Sequence, residues 1–200
     1  MIKIKNVTKQ FHNNLVLDKI NLDIEEGALV RIVGQNGCGK STLLKILAGL
    51  LKADDGKITF DKSKNIGAVI ENPAFIENET LEYNLKFLYE LKNKFDYDKV
   101  NKLCQYFNLD LKSKTLIKKY SLGMRQKAAI IQAVMEEQNI ILLDEPTRGL
   151  DQASIRQFNQ LIDQLHHQNK TIIICAHDGV DAIKFTQVLK LENGKISKIS

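Results

Sequence analysis

The chain of 200 residues has little cysteine and no long apolar segment. Its three cysteines, Cys38, Cys104 and Cys175, are an odd number without C-x-x-C spacing, so neither a disulfide framework nor a metal site follows, and a reducing cytosol fits best. No run approaches 18 uninterrupted apolar residues, and Met1-Ile2-Lys3 does not begin a signal peptide. We therefore predict a chain that does not itself span a membrane but can still dock on a membrane protein.

Internal repeats, low-complexity tracts and linkers rich in proline or serine are also missing. A hydrophobic content of 44% suits one domain with a sizeable core, or one domain with a small inserted lobe. The net charge is +5, but the lysines are scattered and never form a dense block. We interpret them as solvated surface and expect no direct contact with nucleic acid.

The most informative segment is Gly34–Ser41, with the sequence G-Q-N-G-C-G-K-S, which matches the G-x-x-x-x-G-K-[ST] phosphate loop. The apolar run Leu29–Val33 before it predicts a buried strand, and Thr42–Leu51 after it predicts a helix. Glycines let the backbone N–H groups approach an anion closely, and the start of a helix favours negative charge. Lys40 is expected to reach the β- and γ-phosphates, and the Ser41 hydroxyl to ligate Mg²⁺.

Two sets of residues follow from this segment. The predicted nucleotide-binding residues are Gly34, Gln35, Asn36, Gly37, Cys38, Gly39, Lys40, Ser41 and Thr42. The predicted core-facing stripe of the helix is Leu43, Leu44, Leu47, Leu50 and Leu51.

Strands alternate with helices along the rest of the chain, which predicts an α/β fold with a mainly parallel central sheet. Ile2–Val7 and Ile20–Ile24 alternate apolar and polar residues, as half-buried strands do. The unbroken apolar runs Ile140–Leu143 and Thr171–Ala176 predict central strands covered on both faces. From about Pro73 to Lys119, apolar residues at helical spacing predict an inserted helical lobe. Helices are predicted over Met124–Glu137 and Ser154–His167. Asn193-Gly194 predicts a terminal hairpin. No C-terminal regulatory tail is expected after Ser200.

Asp144 and Glu145 directly follow one of the apolar strands. A carboxylate at the end of such a strand can hold Mg²⁺, usually through water, and the next carboxylate can polarise a water aimed at the γ-phosphate. An exposed acidic turn is the alternative. The phosphate loop upstream favours the functional interpretation.

At this point the chain resembles the nucleotide-binding subunit of an ABC transporter over essentially its whole length. Gly34–Ser41 matches the Walker A motif, and Ile140–Glu145 matches Walker B with the catalytic glutamate. The remaining matches are Tyr120–Met124 for the LSGGQ signature, Arg148–Asp151 for the D-loop, His177 for the switch histidine and Phe11 for the aromatic residue that stacks on adenine. Phe11 is also compatible with a core aromatic, and His177 with a structural histidine at a strand end.

The resemblance implies a P-loop NTPase with a RecA-like parallel sheet core, an N-terminal antiparallel β subdomain and an inserted helical lobe. Residues 1–71 and 123–200 would form the nucleotide-binding core, and residues 72–122 the helical subdomain. ATP and Mg²⁺ are the implied cofactors. Ser41, Asp144 and Glu71 would ligate the metal, and Glu145 and His177 would be catalytic.

The resemblance also implies two partners. Ser121, Leu122, Gly123 and Met124, with Asp151 of the D-loop, would face the ATP held by a second nucleotide-binding subunit, either another copy or a paralogue. A transmembrane permease would be the other partner and would hold the chain on the cytoplasmic face of the membrane. The expected function is ATP hydrolysis that powers this permease. A soluble ABC ATPase acting on ribosomes or DNA, and a regulatory module that binds ATP without turnover, are the alternatives.

Two departures from the family pattern point to one branch. Leu122 and Met124 replace the first glycine and the glutamine of the signature, and Glu71 stands where the family usually has the Q-loop glutamine. A carboxylate can still ligate Mg²⁺ but cannot donate an amide hydrogen bond. Tyr-Ser-Leu-Gly-Met resembles the sequence of the bacitracin- and lantibiotic-resistance branch. The expected cargo is therefore an antimicrobial peptide, and the expected function is its export or resistance to it.

Overall fold

The structure, a computed structural model, describes residues 1–61, 63–71 and 74–199. The strands are β1 Ile2–Phe11, β2 Asn14–Ile24, β3 Leu29–Val33, β4 Asp55–Phe60, β5 Ile66–Val69, β6 Ile140–Asp144, β7 Thr171–Cys175, β8 Gln187–Glu192 and β9 Lys195–Lys198. The helices are α1 Lys40–Leu47, α2 Leu81–Tyr89, α3 Tyr97–Tyr106, α4 Leu122–Val134 and α5 Gln152–His167, with a short 3₁₀ turn at Ile117–Lys119.

A six-stranded sheet in the order β5-β6-β7-β3-β8-β9 forms the centre of the molecule. All its neighbouring strands run parallel except β8 and β9, which form the hairpin predicted at Asn193-Gly194. Every residue of β6 and β7 is buried, as their unbroken apolar sequences predict. Ile141 and Leu143 of β6 enter one core, whereas Ile140 and Leu142 enter the other, because successive side chains of a strand point to opposite faces.

One of these cores lies between the central sheet and a second, antiparallel sheet of order β2-β1-β4, with α1 packed into it. The N-terminal antiparallel β subdomain implied by the resemblance is therefore present. Ile2, Ile4 and Val7 are all buried although their spacing is irregular. The reason is a bulge between Ile4 and Val7, where Asn6 has a φ of +51° and the pairing with β2 shifts.

Helix α1 is shorter than the predicted Thr42–Leu51, and this prediction was wrong at both ends. The helix begins at Lys40 and ends at Leu47, and Leu50, predicted to face the core, is 71% exposed. Gly49 has a φ of +76°, and the N–H groups of Gly49 and Leu50 donate to the carbonyls of Ile46 and Lys45. This pattern is a Schellman cap, which turns the chain away from the helix axis after the glycine.

The other core packs α2, α3, α4 and α5 against the opposite face of the central sheet. Leu81, Leu85, Val100, Cys104 and Phe107 of the helical segment are buried there, so the helical spacing predicted before Lys119 is confirmed for these residues. The first two residues of the predicted subdomain 72–122 lie outside the described residues, and the subdomain boundaries stay a prediction. Among the described residues, no helix is both long and apolar enough to cross a membrane.

Candidate nucleotide-binding site

The phosphate loop Gly34–Ser41 connects β3 to α1, as the sequence predicts. Gly39 precedes the first residue of α1 with a φ of +108°, and a Cβ atom there would lie 2.9 Å from Cγ1 of Val16. Gly37 has open space around it but a φ of +81°. Both conformations favour glycine, and they give the loop its tight curvature in front of the helix N-terminus.

Lys40 is buried, and its ammonium group lies inside the curve of the loop. The Nζ atom donates to the carbonyl oxygen of Gly34 at 2.6 Å and to that of Gln35 at 3.1 Å. The loop's own backbone therefore holds a positive charge where the glycines leave room for an anion.

His177 meets Lys40 across the mouth of the loop. Its Nε2 atom lies 3.3 Å from Nζ of Lys40 and 3.2 Å from Oδ1 of Asn36. The first neighbour is a donor and the second an acceptor. An unprotonated Nε2 accepts from Lys40, and a protonated Nε2 donates to Asn36, so the tautomer of the ring selects its partner.

Glu145 completes this cluster from the end of β6. Its carboxylate accepts the backbone N–H of His177 at 3.4 Å, and its other oxygen lies 3.6 Å from Nε2 of the ring. Glu145 has a φ of +46°, a conformation that costs a non-glycine residue of the order of 1 kcal/mol or more. Its N–H donates to the carbonyl of Cys175 at 2.7 Å, which helps to hold this conformation and aims the side chain toward His177.

Two further side chains hold the loop after β6 in place. The Thr147 hydroxyl donates to the carbonyl of Asp178 at 2.9 Å. Gln126, a buried residue of α4, donates to the carbonyl of Pro146 at 3.0 Å. These bonds constrain the backbone that directly follows Glu145 and His177.

A cavity of about 560 Å³ opens in front of the loop, which is a typical size for a small-molecule site. The predicted site residues that line it are Phe11, Asn36, Gly37, Gly39, Lys40, Ser41, Thr42, Glu71, Leu122, Asp144 and Glu145. Val16 and Gln126 line it too, although the sequence did not predict them as site residues, and so does Arg148 of the predicted D-loop. Arg148 is detectable from its place after the acidic pair, but only tertiary packing brings Gln126 and Val16 to the cavity.

The predicted metal ligands meet at this cavity. Ser41, Asp144 and Glu71 all offer oxygen atoms, which are the ligands that Mg²⁺ prefers. Asp144 is buried. The burial of the neighbouring Cys175 and, secondly, the negative charge of Asp144 raise the pKa of the Cys175 thiol well above its ordinary value. Glu71 is exposed and pairs with Lys45 of α1 at 2.6 Å. Within the described ranges there is no cluster of three His, Cys, Asp or Glu side chains that could hold a metal ion.

Phe11 lies at the end of β1 with 42% of its surface exposed, and it borders the cavity. Nζ of Lys9 lies 5.2 Å from the centre of the ring. The side chain is therefore a surface aromatic rather than part of either core, which is the placement that stacking on a base requires.

The signature segment begins helix α4. Ser121 is the N-cap, and its hydroxyl accepts the N–H of Met124 at 3.2 Å. A Cβ atom on Gly123 would lie 2.7 Å from the carbonyl oxygen of Gly149 in the D-loop. Leu122 is 55% exposed, whereas Met124 packs partly buried against the helical core.

Asp151 is the N-cap of α5 and accepts the N–H of Ser154 at 2.7 Å. This hydrogen bond holds the pKa of Asp151 below its ordinary value. The predicted site residues that do not line the cavity are Gly34, Gln35, Cys38, Ser121, Gly123, Met124, Asp151 and His177. Of these, Gly34, Gln35 and His177 contact Lys40, whereas Ser121, Gly123 and Asp151 form the adjoining signature and D-loop surface.

The loop, its buried lysine and the acidic end of β6 place the chain among the P-loop nucleotide-binding proteins. Known proteins agree: the sequence profile of the ABC transporter family matches residues 17–148. The probable sulfate/thiosulfate import ATP-binding protein CysA of Chlorella vulgaris is 35% identical over 99% of this chain and 90% of its own length. The bacitracin transport ATP-binding protein BcrA of Enterococcus faecalis is 33% identical over 88% of this chain, and the matched region covers 61% of the length of BcrA.

A solved structure agrees as well. The dimeric structure of MJ0796, a bacterial ABC transporter cassette, superposes with a TM-score of 0.89 at 26% identity and covers 100% of this chain and 99% of its own. The same cassette is known as a dimer in a post-hydrolysis state bound to ADP and Pi. The chain belongs to the ABC transporter family. It is an ATP-binding subunit with ATPase activity, and both the predicted resemblance and the predicted P-loop NTPase fold are confirmed.

Proposed function

We propose that the cavity in front of Gly34–Ser41 binds ATP with Mg²⁺ and that its hydrolysis powers a separate membrane permease. The observation that carries this proposal is the contact between Lys40, His177 and Glu145 at the mouth of the phosphate loop. One group stabilises phosphate charge, one senses it and one is a base, and all three belong to different elements of the fold.

The hydrolytic step follows from these positions. Glu145 accepts a proton from water as the water oxygen bonds to the γ-phosphorus, and the bond to the ADP oxygen breaks. Lys40 and the N–H groups of the loop balance the charge of the phosphates. His177 contacts the γ-phosphate, and this contact is lost when inorganic phosphate leaves after hydrolysis. Ser41 and Asp144 would hold Mg²⁺, with Glu71 at the rim, and the ion would neutralise charge between the phosphates.

The active assembly in this proposal is a pair of cassettes. Ser121 and Gly123 begin a helix at the surface, so a hydroxyl, an N–H and the helix dipole together suit an anion carried by the facing subunit. The dimeric structure of the similar cassette MJ0796 supports this arrangement. Loss of the γ-phosphate removes the charge that both faces hold, which opens the pair.

The permease surface is proposed to lie on the helical segment. Tyr83 and Phe87 of α2 are both about half exposed, and their rings stack with centroids 6.4 Å apart. Ile76 and Leu91 are exposed on either side of this helix along the chain. An exposed apolar group of this kind suits burial against a partner, and a permease partner would place the chain at the cytoplasmic face of the membrane.

The proposed cargo is a cationic or cyclic antimicrobial peptide. The support is the Tyr120–Met124 sequence together with the similarity to BcrA, whose name describes bacitracin transport. Deletion of the gene should lower resistance to bacitracin or a lantibiotic. Unchanged resistance with impaired growth on sulfate would instead support an import function like that named for CysA.

The hydrolytic proposal is tested with Glu145→Gln, which keeps the shape of the side chain but removes the base. ATP turnover should fall by a factor of about 10² or more while ATP binding is retained. Glu90→Gln, an exposed acid on the helical segment, is the matched control and should turn over ATP normally. Lys40→Ala should weaken ATP binding or block turnover. Wild-type turnover by Glu145→Gln would refute the assignment of the base.

A further inference from the structure

Arg31 is the one charged residue of the short central strand β3. It pairs with Ile174 of β7 on one side and Val188 of β8 on the other, so its backbone lies in the middle of the parallel sheet. Its side chain is only 18% exposed. A long cation in an apolar strand has an energetic cost unless its donors are used, and its partners therefore indicate what it does.

Those partners are the two carbonyl groups that flank the Cα atom of His177. The Nη2 atom of Arg31 donates to the carbonyl of His177 at 2.8 Å, and the Nε atom donates to the carbonyl of Ala176 at 3.4 Å. Each carbonyl defines the plane of one peptide bond. A single rigid guanidinium thus holds the two planes on either side of His177, and with them the φ and ψ angles that aim its ring.

The guanidinium is itself anchored from its outer side. Its Nη1 atom lies 3.4 Å from the carboxylate of Asp181, and its central carbon lies 5.9 Å from the centre of the Phe185 ring. Because Asp181 is 80% exposed, solvent screens this ion pair, and the pair contributes little by itself. The hydrogen bond from this charged group to the His177 carbonyl is much shorter, at 2.8 Å, and is the stronger part of the arrangement.

We infer that Arg31 is a positioning residue for His177 and that it acts through the backbone of the loop after β7. The inference rests on the proposed role of His177 at the γ-phosphate. The ring of His177 must lie within about 3 Å of both Lys40 and Asn36 to change partners, and backbone freedom at Ala176 and His177 would move it out of reach. Arg31 restricts that freedom through its hydrogen bonds to the carbonyls of Ala176 and His177.

The first test observes the histidine rings directly by NMR in the purified chain. The sequence has four histidines. The ring signal that disappears in the His177→Ala variant is assigned to His177. Arg31→Met should shift the His177 ring signal and leave those of His12, His166 and His167 in place. An unshifted His177 signal in a folded Arg31→Met protein would overturn the inference. If Arg31→Met does not fold, Arg31→Lys replaces it and should give a smaller shift of the His177 signal. An unshifted His177 signal in Arg31→Lys would then overturn the inference.

The second test measures ATP turnover and separates this inference from the proposed function. Arg31→Met should lower kcat about tenfold or more, with KM for ATP changed less than about twofold. In the His177→Ala background, the same substitution should change kcat less than about twofold, because its route of action is already removed. An equal loss in both backgrounds would overturn the inference. Normal turnover by His177→Ala alone would refute the proposed role of His177, while the NMR shift would still report on Arg31.

Asp181→Asn is the matched control, because it removes the exposed ion pair and leaves the backbone hydrogen bonds of Arg31 intact. Asp181→Asn should leave the His177 ring signal at its wild-type position and keep kcat within about twofold of wild type. A loss as large as that of Arg31→Met would assign the effect to the ion pair and overturn the inference.

Discussion

Gly123 lies against the backbone of Gly149 so closely that a Cβ atom on Gly123 would be 2.7 Å from the Gly149 carbonyl oxygen. The signature glycine therefore has a structural role within its own subunit, in addition to the N–H group it would offer to a phosphate on the facing one. It lets the start of α4 and the D-loop approach each other, so the surface proposed to meet the partner forms one continuous unit.

Gly123→Ala should destabilise the fold. Helix propensity alone favours alanine by about 1 kcal/mol, but a clash with backbone atoms costs about 1 to 3 kcal/mol. We expect a net loss of about 1 kcal/mol in the free energy of unfolding, measured by urea denaturation. Leu122→Ala, at the exposed neighbouring position, should change it much less. A gain in stability for Gly123→Ala would show that the D-loop moves aside freely.

Substitutions at Ser121 should separate capping from charge. Aspartate and asparagine both cap helices well, so Ser121→Asp and Ser121→Asn should unfold at similar denaturant concentrations. Only aspartate places a negative charge against the triphosphate of a facing subunit. In gel filtration with ATP and the Glu145→Gln background, Ser121→Asn should still form dimers and Ser121→Asp should not. Dimerisation by both variants would count against a signature that acts in trans.

The native chain should react with a thiol reagent at one cysteine only. Cys38 is partly accessible in the phosphate loop, whereas Cys104 and Cys175 are buried. Burial raises the pKa of Cys104 to about 12, so its reactive thiolate form is negligible at neutral pH. Mass spectrometry should show one adduct, none in Cys38→Ser, and slower labelling of Cys38 when ATP is present. Labelling that ATP does not slow would argue against nucleotide binding at this loop.

The ion pair between Glu77 and Arg125 should make stability depend on pH in the acidic range. Arg125 donates to both oxygens of the Glu77 carboxylate, at 2.5 and 2.6 Å, and holds its pKa below the ordinary 4.5. A lowered folded-state pKa stabilises the fold above the unfolded-state pKa, and this contribution is lost as the pH falls through the lowered value.

Wild type should therefore be more stable than Glu77→Gln near neutral pH, and the difference should shrink as the pH drops below 4.5. Arg125→Gln should show the same convergence with wild type. Urea denaturation at a series of pH values measures both. A difference that stays constant down to the acid limit would show that the pair does not stabilise this chain electrostatically.

Much of the fold was predictable because the secondary structure favoured by the local sequence is the one that the tertiary structure contains. The apolar runs Ile140–Leu143 and Thr171–Ala176 form buried parallel strands, and the phosphate loop lies between a strand and a helix as predicted. The end of α1 was not predicted. Leucine spacing favoured continuation to Leu51, but the positive φ of Gly49 and its capping hydrogen bonds end the helix at Leu47.

The candidate site was predictable where one segment carries the chemistry, as with Lys40 and Ser41. The signature illustrates the limit. The family resemblance implied a phosphate contact for Gly123, but the sequence contained no sign of the packing of Gly123 on Gly149. Arg31 lies within the apolar run Leu29–Val33, which by itself predicts only a buried strand. Its two carbonyl partners lie about 145 residues further along the chain, and no local pattern connects them.

The order of residues alone determined the family, the alternation of strands and helices, and the types of group available for phosphate chemistry, because each of these depends on short segments and their spacing. The folded arrangement decided which of those groups meet. Lys40, Asn36, Glu145 and His177 come together only because three strands of one parallel sheet end at the same edge. Their relative positions depend on backbone angles and on hydrogen bonds between distant segments, and neither is encoded in any single stretch of sequence.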